Sequence, residues 1–355
     1  MRIKHVGRVA APIAALALLA GCSSADSSED GASGDQPGSG IEVTAARANW
    51  STGFFQAEVF KQMLTELGYE VSDPADAELG PDIFYPALAQ GEYDYWVNGW
   101  FPNHEPNFEA QTPTGDTVGD LVTQVGFEVE KGALQGYLID KKTADENNIT
   151  SVAQIVEDPA LSALFDENGD GTADLYGCNE GWGCAKLINE TIALNGWEDQ
   201  LTHKQGEYSV LFQDVIARIG RGEAAMYYTW TPNFTVAQLE PGTDVVWIGL
   251  GAEAPEGQDV ATELPEGQCA AEPCDMGFAP ADIRVVGNNE FLEANPAAAS
   301  LFESVKIPVE DIAAQNLEYN EGADTPQDIE EQASAWIEAN RDQVDAWLED
   351  ARATA

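Results

Sequence analysis

Ile41-Glu42-Val43-Thr44-Ala45, followed by Phe54 to Leu67 with Phe55, Val59, Phe60, Met63, Leu64 and Leu67 at helical spacing, is the stretch from which the fold is read. The first run alternates like a strand, the second repeats like a helix, and Gly68 stands where a helix terminator belongs. The same alternation continues along the chain. Tyr69-Glu70-Val71 reads as the next strand, and Tyr93 to Val97 as another that ends at the turn signal Asn98-Gly99. Further strands are expected at 135–139, 224–228, 245–248 and 283–286, with helices at 152–156, 210–219 and 295–305. Near the C-terminus, Thr325 before Pro326 predicts an N-cap and a proline at the first helical position, with Ile329, Ala333, Trp336 and Ile337 on one face. Strands alternating with helices predict an α/β protein.

The N-terminus sets the compartment. Arg2, Lys4 and Arg8 precede an apolar run from Val9 to Ala20, too short for a spanning helix. The run ends in Leu19-Ala20-Gly21-Cys22, which resembles a bacterial lipobox with Cys22 as the acylated N-terminus; the plainer reading is a signal peptide beside an unrelated cysteine. Residues 1–21 are therefore expected to be a lipoprotein signal peptide. Residues 22–40, rich in Gly, Ser and acids, are expected to be a lipidated flexible tether. No later stretch approaches about 18 consecutive apolar residues, so membrane attachment is expected through the anchor alone, on the outer face of the cell membrane.

The chain carries 62 acidic and 16 basic residues, a formal net charge of −46. Such a field repels nucleic acid and anionic lipid. It would attract a cation, but the acids are spread along the whole chain. That distribution favours adaptation to a saline exterior, where charge is screened within about 3 Å at 1 M salt. Apart from Cys22, the cysteines fall into two close pairs, Cys178/Cys184 and Cys269/Cys274. In an exported chain these read as two local disulfides rather than metal ligands, since nothing rich in histidine accompanies them.

Enzyme signatures are scarce. There is no G-x-S-x-G, P-loop or H-E-x-x-H, and only His104 and His203 lie beyond the leader. Spacing leaves room for a Ser–His–Asp or carboxylate-pair hydrolase, but nothing points to one. Asp166 to Asp174 matches the first nine positions of a calcium loop, yet position twelve is Gly177 rather than the bidentate glutamate. It reads either as a polar Asx-rich turn or as a structural calcium loop; no functional metal and no cofactor are expected.

Three tryptophan segments stand out: 98–104 (NGWFPNH), 177–184 (GCNEGWGC) and 227–232 (YYTWTP). Each tryptophan lies beside turn-forming Gly or Pro at or just past a strand end, whereas core tryptophans such as Trp336 and Trp347 sit within periodic elements. A disulfide between Cys178 and Cys184 would hold Trp182 out from a short loop, and its glycines would let backbone amides approach a ligand.

These segments resemble those of the glycine betaine-binding proteins of the proline/glycine betaine ABC uptake systems, in the periplasmic-binding-protein superfamily. The likeness runs from about Ile41 to the C-terminus, through 135–142 (QGYLIDKK) and 295–299 (NPAAA). The resemblance implies two α/β lobes of type II-like arrangement that close like a clamshell on a ligand in the cleft. The expected division is 41–134 for the first part of lobe one, 135–249 for lobe two and 250–355 for the rest of lobe one. By motif, Trp100, Trp182 and Trp230 would box a trimethylammonium group, while His104 and the amides of Gly183 and Cys184 hold a carboxylate. The partners implied are a small zwitterion such as glycine betaine and an ABC permease with its ATPase; a monomer is expected. The chemistry agrees: a quaternary ammonium has no N–H to donate, and each aromatic face contributes about 0.5–2 kcal/mol once desolvated. Proline betaine, choline, carnitine and sulfonium osmolytes are the competing ligands, and a secreted hydrolase or a sensory lipoprotein the more distant alternatives. Asn98-Gly99, Phe101, the 41–60 region with Trp50, and the Cys269/Cys274 loop depart from the family pattern.

Overall fold

A computed structural model describes residues 36–355; the leader, Cys22 and the tether as far as residue 35 lie outside the described residues. Residues 37–40 form a turn, and the Gly38 N–H donates to Leu67 O at 2.9 Å, just beyond the first long helix. The opening elements follow the periodicity closely. Strand β1 (Glu42–Val43) leads into helix α1 (Thr52–Glu66), and β2 (Glu70–Val71) returns to pair with β1 in parallel. Gly68 adopts φ +93°, the left-handed conformation that lets the chain leave the helix at no Cβ cost. Phe55, Val59, Phe60, Met63 and Leu64 are buried, as their spacing requires.

Helix α2 (Pro81–Ala89) precedes β3 (Tyr95–Phe101), which is buried along its whole length. β3 runs three residues beyond Asn98 instead of turning at Asn98-Gly99, because the Asn98 side chain is satisfied inside the protein. Gly99 has no room for a side chain: a Cβ there would lie 2.7 Å from the Phe101 ring and 3.1 Å from Arg284 O.

Strand β4 (Val122–Asp140) organises the molecule. At about 3.3 Å per residue its nineteen residues extend well beyond an ordinary strand, and the two halves have different partners. The early half pairs antiparallel with β9 (Ala281–Asn288), whose other edge carries β3. The late half pairs with β7 (Met226–Thr231), from Leu134↔Thr231 to Ile139↔Met226, and with β8 (Val245–Ile248). Beyond β7 lie β5 (Ala173–Tyr176) and β6 (Leu201–Lys204), both parallel. The handover at Ala133–Leu134 follows Lys131, which has φ +49° and whose N–H is held by Asp282 Oδ1 at 2.8 Å. One strand thus joins two groups of strands.

Helix α3 (Gly183–Asn195) and helix α4 (Tyr208–Gly220) flank the β5–β6 side. Helices α5 (Val309–Asn320), α6 (Pro326–Ala339) and α7 (Arg341–Arg352) close the chain, with α1 packed on α5 and α6. Thr325 and Asp328 form a reciprocal cap, the Thr325 N–H donating to the Asp328 carboxylate at 3.0 Å, worth about 1 kcal/mol. Ile329, Ala333, Trp336 and Ile337 are the buried face of α6.

Both expected disulfides are present, Cys178–Cys184 and Cys269–Cys274. The second ties a long connection to β8: Trp247 N–H donates to Gln268 O and Ala270 N–H to Trp247 O, each at 2.9 Å. Leu250 N–H also reaches Asp275 O, and Phe278 packs on Tyr137 and Tyr228, so the segment from 249 to 278 lies against the late half of β4 and its neighbours.

Candidate ligand-binding site

A small pocket lies between the two strand groups. All six residues expected at a site line it: Trp100, His104, Trp182, Gly183, Cys184 and Trp230. Four others join them, Trp50, Asn103, Gln135 and Tyr228. None of the ten is a carboxylate, and with Cys184 in a disulfide the lining holds no hydroxyl or thiol of Ser, Thr or Cys to act as a nucleophile.

Side-chain alternation on β3 puts Asn98 and Trp100 on one face. The Asn98 Oδ1 accepts from the Trp100 indole N–H at 2.9 Å and from the Trp50 indole N–H at 2.7 Å. Its own amide donates to Gln56 Oε1 at 2.7 Å, and Gln56 Nε2 donates to Glu128. Burial pushes the Glu128 carboxyl up to about 8, so at neutral pH it is uncharged. A buried, neutral hydrogen-bond chain therefore fixes two indoles from behind.

Downstream of Trp100 the chain turns through a cis Phe101–Pro102 bond and brings His104 back, its N–H donating to Trp100 O at 2.8 Å. His104 Nδ1 accepts the Trp100 backbone N–H at 3.1 Å and faces the Tyr85 hydroxyl at 2.9 Å. A ring nitrogen that accepts a backbone N–H carries no proton, so the hydrogen sits on Nε2. Burial, with the Lys186 charge adding to it, pushes the His104 pKa down to about 3. The imidazole is thus a neutral donor. His203, by contrast, is on β6, bonded to Asn189 and not among the lining residues.

Trp182 is the N-cap of α3, preceded by Gly181 at φ +87° and held by the Cys178–Cys184 disulfide. Its indole N–H donates to Asn49 Oδ1 at 2.8 Å, across the cleft. Gly183 and Cys184 are the first two residues of α3, where backbone N–H groups have no partner within the helix and the helix dipole favours negative charge. Gly183 is also a tight fit: a Cβ there would lie 3.2 Å from His104 Cδ2 and 3.3 Å from Asn103 O.

Trp230 stands on β7, its ring 5.7 Å from that of Trp182 at 80°, with its N–H reaching Thr52 Oγ1 at 3.3 Å. Opposite it on β4 is Gln135, whose Oε1 accepts from the Tyr228 hydroxyl at 2.7 Å. Gln135 Nε2 and Asn103 Oδ1 are buried without a partner, as befits groups facing a ligand space. In the sequence Gln135 and Tyr228 stand in segments that carry the resemblance, 135–142 and 227–232, but neither was expected at the site. Their facing position depends on the β4–β7 register, which no local pattern reveals.

The arrangement can hold an apolar cation among indole faces and an anionic group at the start of α3. Other contacts bind the same two sides: Lys186 Nζ donates to Asn107 Oδ1 at 2.6 Å, and Phe234 N–H to Asn316 Oδ1 at 2.7 Å. The Asp166–Asp174 loop lies apart from this cavity. There the Asp166 carboxylate accepts from the amides of Gly169, Asp170 and Gly171, and Lys204 pairs with Glu167. Among the described residues no group of three or more His, Cys, Asp or Glu is arranged to hold a metal.

Comparison with known proteins agrees with the architecture. The glycine betaine-binding periplasmic protein OusX of Dickeya dadantii (strain 3937) is 39% identical over 326 residues, covering 91% of this chain and 94% of that protein. The glycine betaine/proline betaine-binding periplasmic protein of Escherichia coli (strain K12) is 38% identical over 320 residues, covering 90% and 92%. Lactococcal OpuAC, solved in a closed-liganded conformation complexed with glycine betaine, superposes with a TM-score of 0.63 at 18% identity, covering 87% of this chain and 99% of that one. An ABC-transporter choline-binding protein, solved with choline, gives 0.65 at 15% identity, covering 88% and 96%. These structures share the two-lobed α/β fold of periplasmic binding proteins expected from the sequence. Residues 41–339 match the family described as the substrate binding domain of ABC-type glycine betaine transport system, a family of binding proteins rather than enzymes, and the chain belongs to it.

Proposed function

We propose that this protein is the extracytoplasmic binding component of an ABC importer and captures glycine betaine, or proline betaine, between its lobes. The observation that carries the reading is the lining itself: indole faces, neutral donors and a helix N-terminus around one small cavity, with no carboxylate among them. Trp100, Trp182 and Trp230 take the quaternary ammonium. Each face contributes about 0.5–2 kcal/mol in a desolvated setting, where a buried carboxylate would need costly desolvation of its own. His104, through Nε2–H, and the amides of Gly183 and Cys184 take the carboxylate. The relatives named above are periplasmic binding proteins for such ligands, which supports the same compartment here. Attachment through a lipid on Cys22, a monomeric state and a permease that reads the closed form complete the proposal.

Lobe one comprises 41–134 and the C-terminal part of the chain, and lobe two begins at 135. We place the second crossing near Ala281, later than the 249/250 boundary expected from the sequence, since the preceding connection bonds to β8 and the chain re-enters lobe one as β9. Trp100 then belongs to lobe one, Trp182 and Trp230 to lobe two, so closure completes the box.

The test is isothermal titration calorimetry with glycine betaine and choline. Betaine is expected to bind tightly and choline, which has no carboxylate for His104 and the α3 amides, weakly. Equal affinity for the two would remove the carboxylate clamp, and no heat from folded protein with either would remove the osmolyte assignment.

A further inference from the structure

The cavity holds a fourth indole that the box above leaves unused. Trp50 lies in the connection from β1 into α1, is buried, and lines the same space as Trp100, Trp182 and Trp230. Its ring is 5.3 Å from that of Trp182 at 70°, an edge-to-face contact made across the cleft. Behind it stands Trp96, itself fully buried, with ring centroids 5.7 Å apart, so Trp50 has no space to retreat into.

The polar edge of Trp50 is accounted for away from the cavity. Its N–H donates to Asn98 Oδ1 at 2.7 Å, and the same oxygen holds the Trp100 N–H. Asn98 is not itself a lining residue. One carboxamide oxygen therefore sets the rotation of both lobe-one indoles, and what each shows to the cavity is ring surface. A quaternary ammonium spreads its charge over methyl groups on every side, so a cage open on one side would leave some of that charge in water, where aromatic attraction is weakest.

We propose that Trp50 is a fourth wall of the cage and a specificity-determining residue for the quaternary ammonium, each lobe supplying two indoles. This rests on the betaine reading above. It makes lobe one contribute half of the aromatic surface, so the cation has a strong partner there before lobe two closes.

The test compares Trp50→Phe, Trp50→Leu and Trp50→Met with the wild type by calorimetric titration of glycine betaine, after thermal unfolding has shown which variants fold. All three lose the bond to Asn98 equally, so the difference among them isolates the aromatic face. W50L and W50M are expected to bind at least about fivefold more weakly than W50F, within the roughly two- to thirty-fold that one desolvated aromatic contact supplies. Either aliphatic variant suffices if the other does not fold. The isostere 3,3-dimethylbutanoate, which keeps the carboxylate but has an uncharged tert-butyl group in place of the trimethylammonium, is expected to lose no more affinity in the aliphatic variants than in W50F. Aliphatic variants that bind betaine as W50F does would overturn the fourth wall. With W182A as control, loss in W182A alone removes only Trp50, whereas wild type that does not bind betaine removes the betaine reading itself.

Discussion

Glu128 links the stability of the fold to the tryptophans of the cavity, and replacing it by glutamine separates the two. The carboxyl is fully buried, accepts from Gln56 Nε2 through one oxygen and leaves the other without a partner. Burial pushes its pKa up to about 8, against an ordinary 4.5. A group whose pKa is raised on folding gives its full stability below the unfolded value, and that stability is lost as pH rises towards the folded value. Below pH 4.5 both states are protonated and nothing is lost. Between there and pH 8 the unfolded chain ionises while the folded one does not, which costs about 1.4 kcal/mol per pH unit. The total reaches about 5 kcal/mol at pH 8, and about 3 kcal/mol has been lost at pH 7. Glu128→Gln keeps an oxygen for Gln56 and cannot ionise. Denaturant unfolding of both proteins at fixed high salt, from pH 4.5 to 9, is expected to show E128Q gaining on the wild type steadily up to pH 8 and no further. The acidic surface changes with pH in both alike and cancels in the difference. Betaine affinity is expected to be nearly the same in the two, since the acceptor behind Gln56, Asn98 and the two indoles is preserved. A stability difference that is flat from pH 4.5 to 8 would show that Glu128 is not a buried neutral carboxyl and would refute the chain of argument.

His104 has a pKa near 3, so betaine affinity is expected to stay constant from pH 9 to 5 in calorimetric titrations. His104→Ala is expected to weaken betaine by about 1.5–3 kcal/mol, the worth of a hydrogen bond to a charged group, while barely affecting choline. Gly183→Ala places a methyl 3.2 Å from His104 Cδ2 and 3.3 Å from Asn103 O, and is expected to weaken betaine binding in calorimetric titration, because both neighbours must give way. Raising salt from low to molar is expected to change betaine Kd by less than about threefold, since a zwitterion carries no net charge for the screened surface field to act on.

Much of this was legible in the sequence where the pattern is local. Helix α1, its Gly68 stop and the Thr325 cap follow from spacing and capping chemistry, and the pairing of cysteines from their closeness. What could not be read depends on distant partners. Asn98-Gly99 carries a turn signal, yet the strand continues because Asn98 finds Gln56, Trp50 and Trp100 in the core. Helix α3 begins with Gly-Cys inside what reads as a stapled loop; the family resemblance named the amides of Gly183 and Cys184, but nothing local showed that they open a helix. β4 was read only at 135–139, because its early half is interrupted by bulges and a positive φ at Lys131. Gln135 and Tyr228 reach the cavity through pairing between residues nearly a hundred positions apart, which no window of sequence contains.

The charge of the chain and the chemistry of its cavity pull in different directions, and their separation is itself informative. A net charge of −46 would make an acidic pocket the easy way to hold a cation, yet no Asp or Glu lines the cavity. An acidic pocket would bind any cation, sodium and potassium included, and would lose its grip as salt screens it. Indole faces bind a cation only when it sheds its water cheaply; a methylated ammonium does so and an alkali ion does not. Two buried ionisable groups at the site are held neutral: Glu128 by burial, His104 by burial and the charge of Lys186. The acidity of the chain is thus decoupled from the cavity, since no carboxylate lines it. On the betaine reading proposed above, a site built in this way holds its ligand even where inorganic cations are in vast excess, because indole faces discriminate by the cost of desolvation rather than by charge alone.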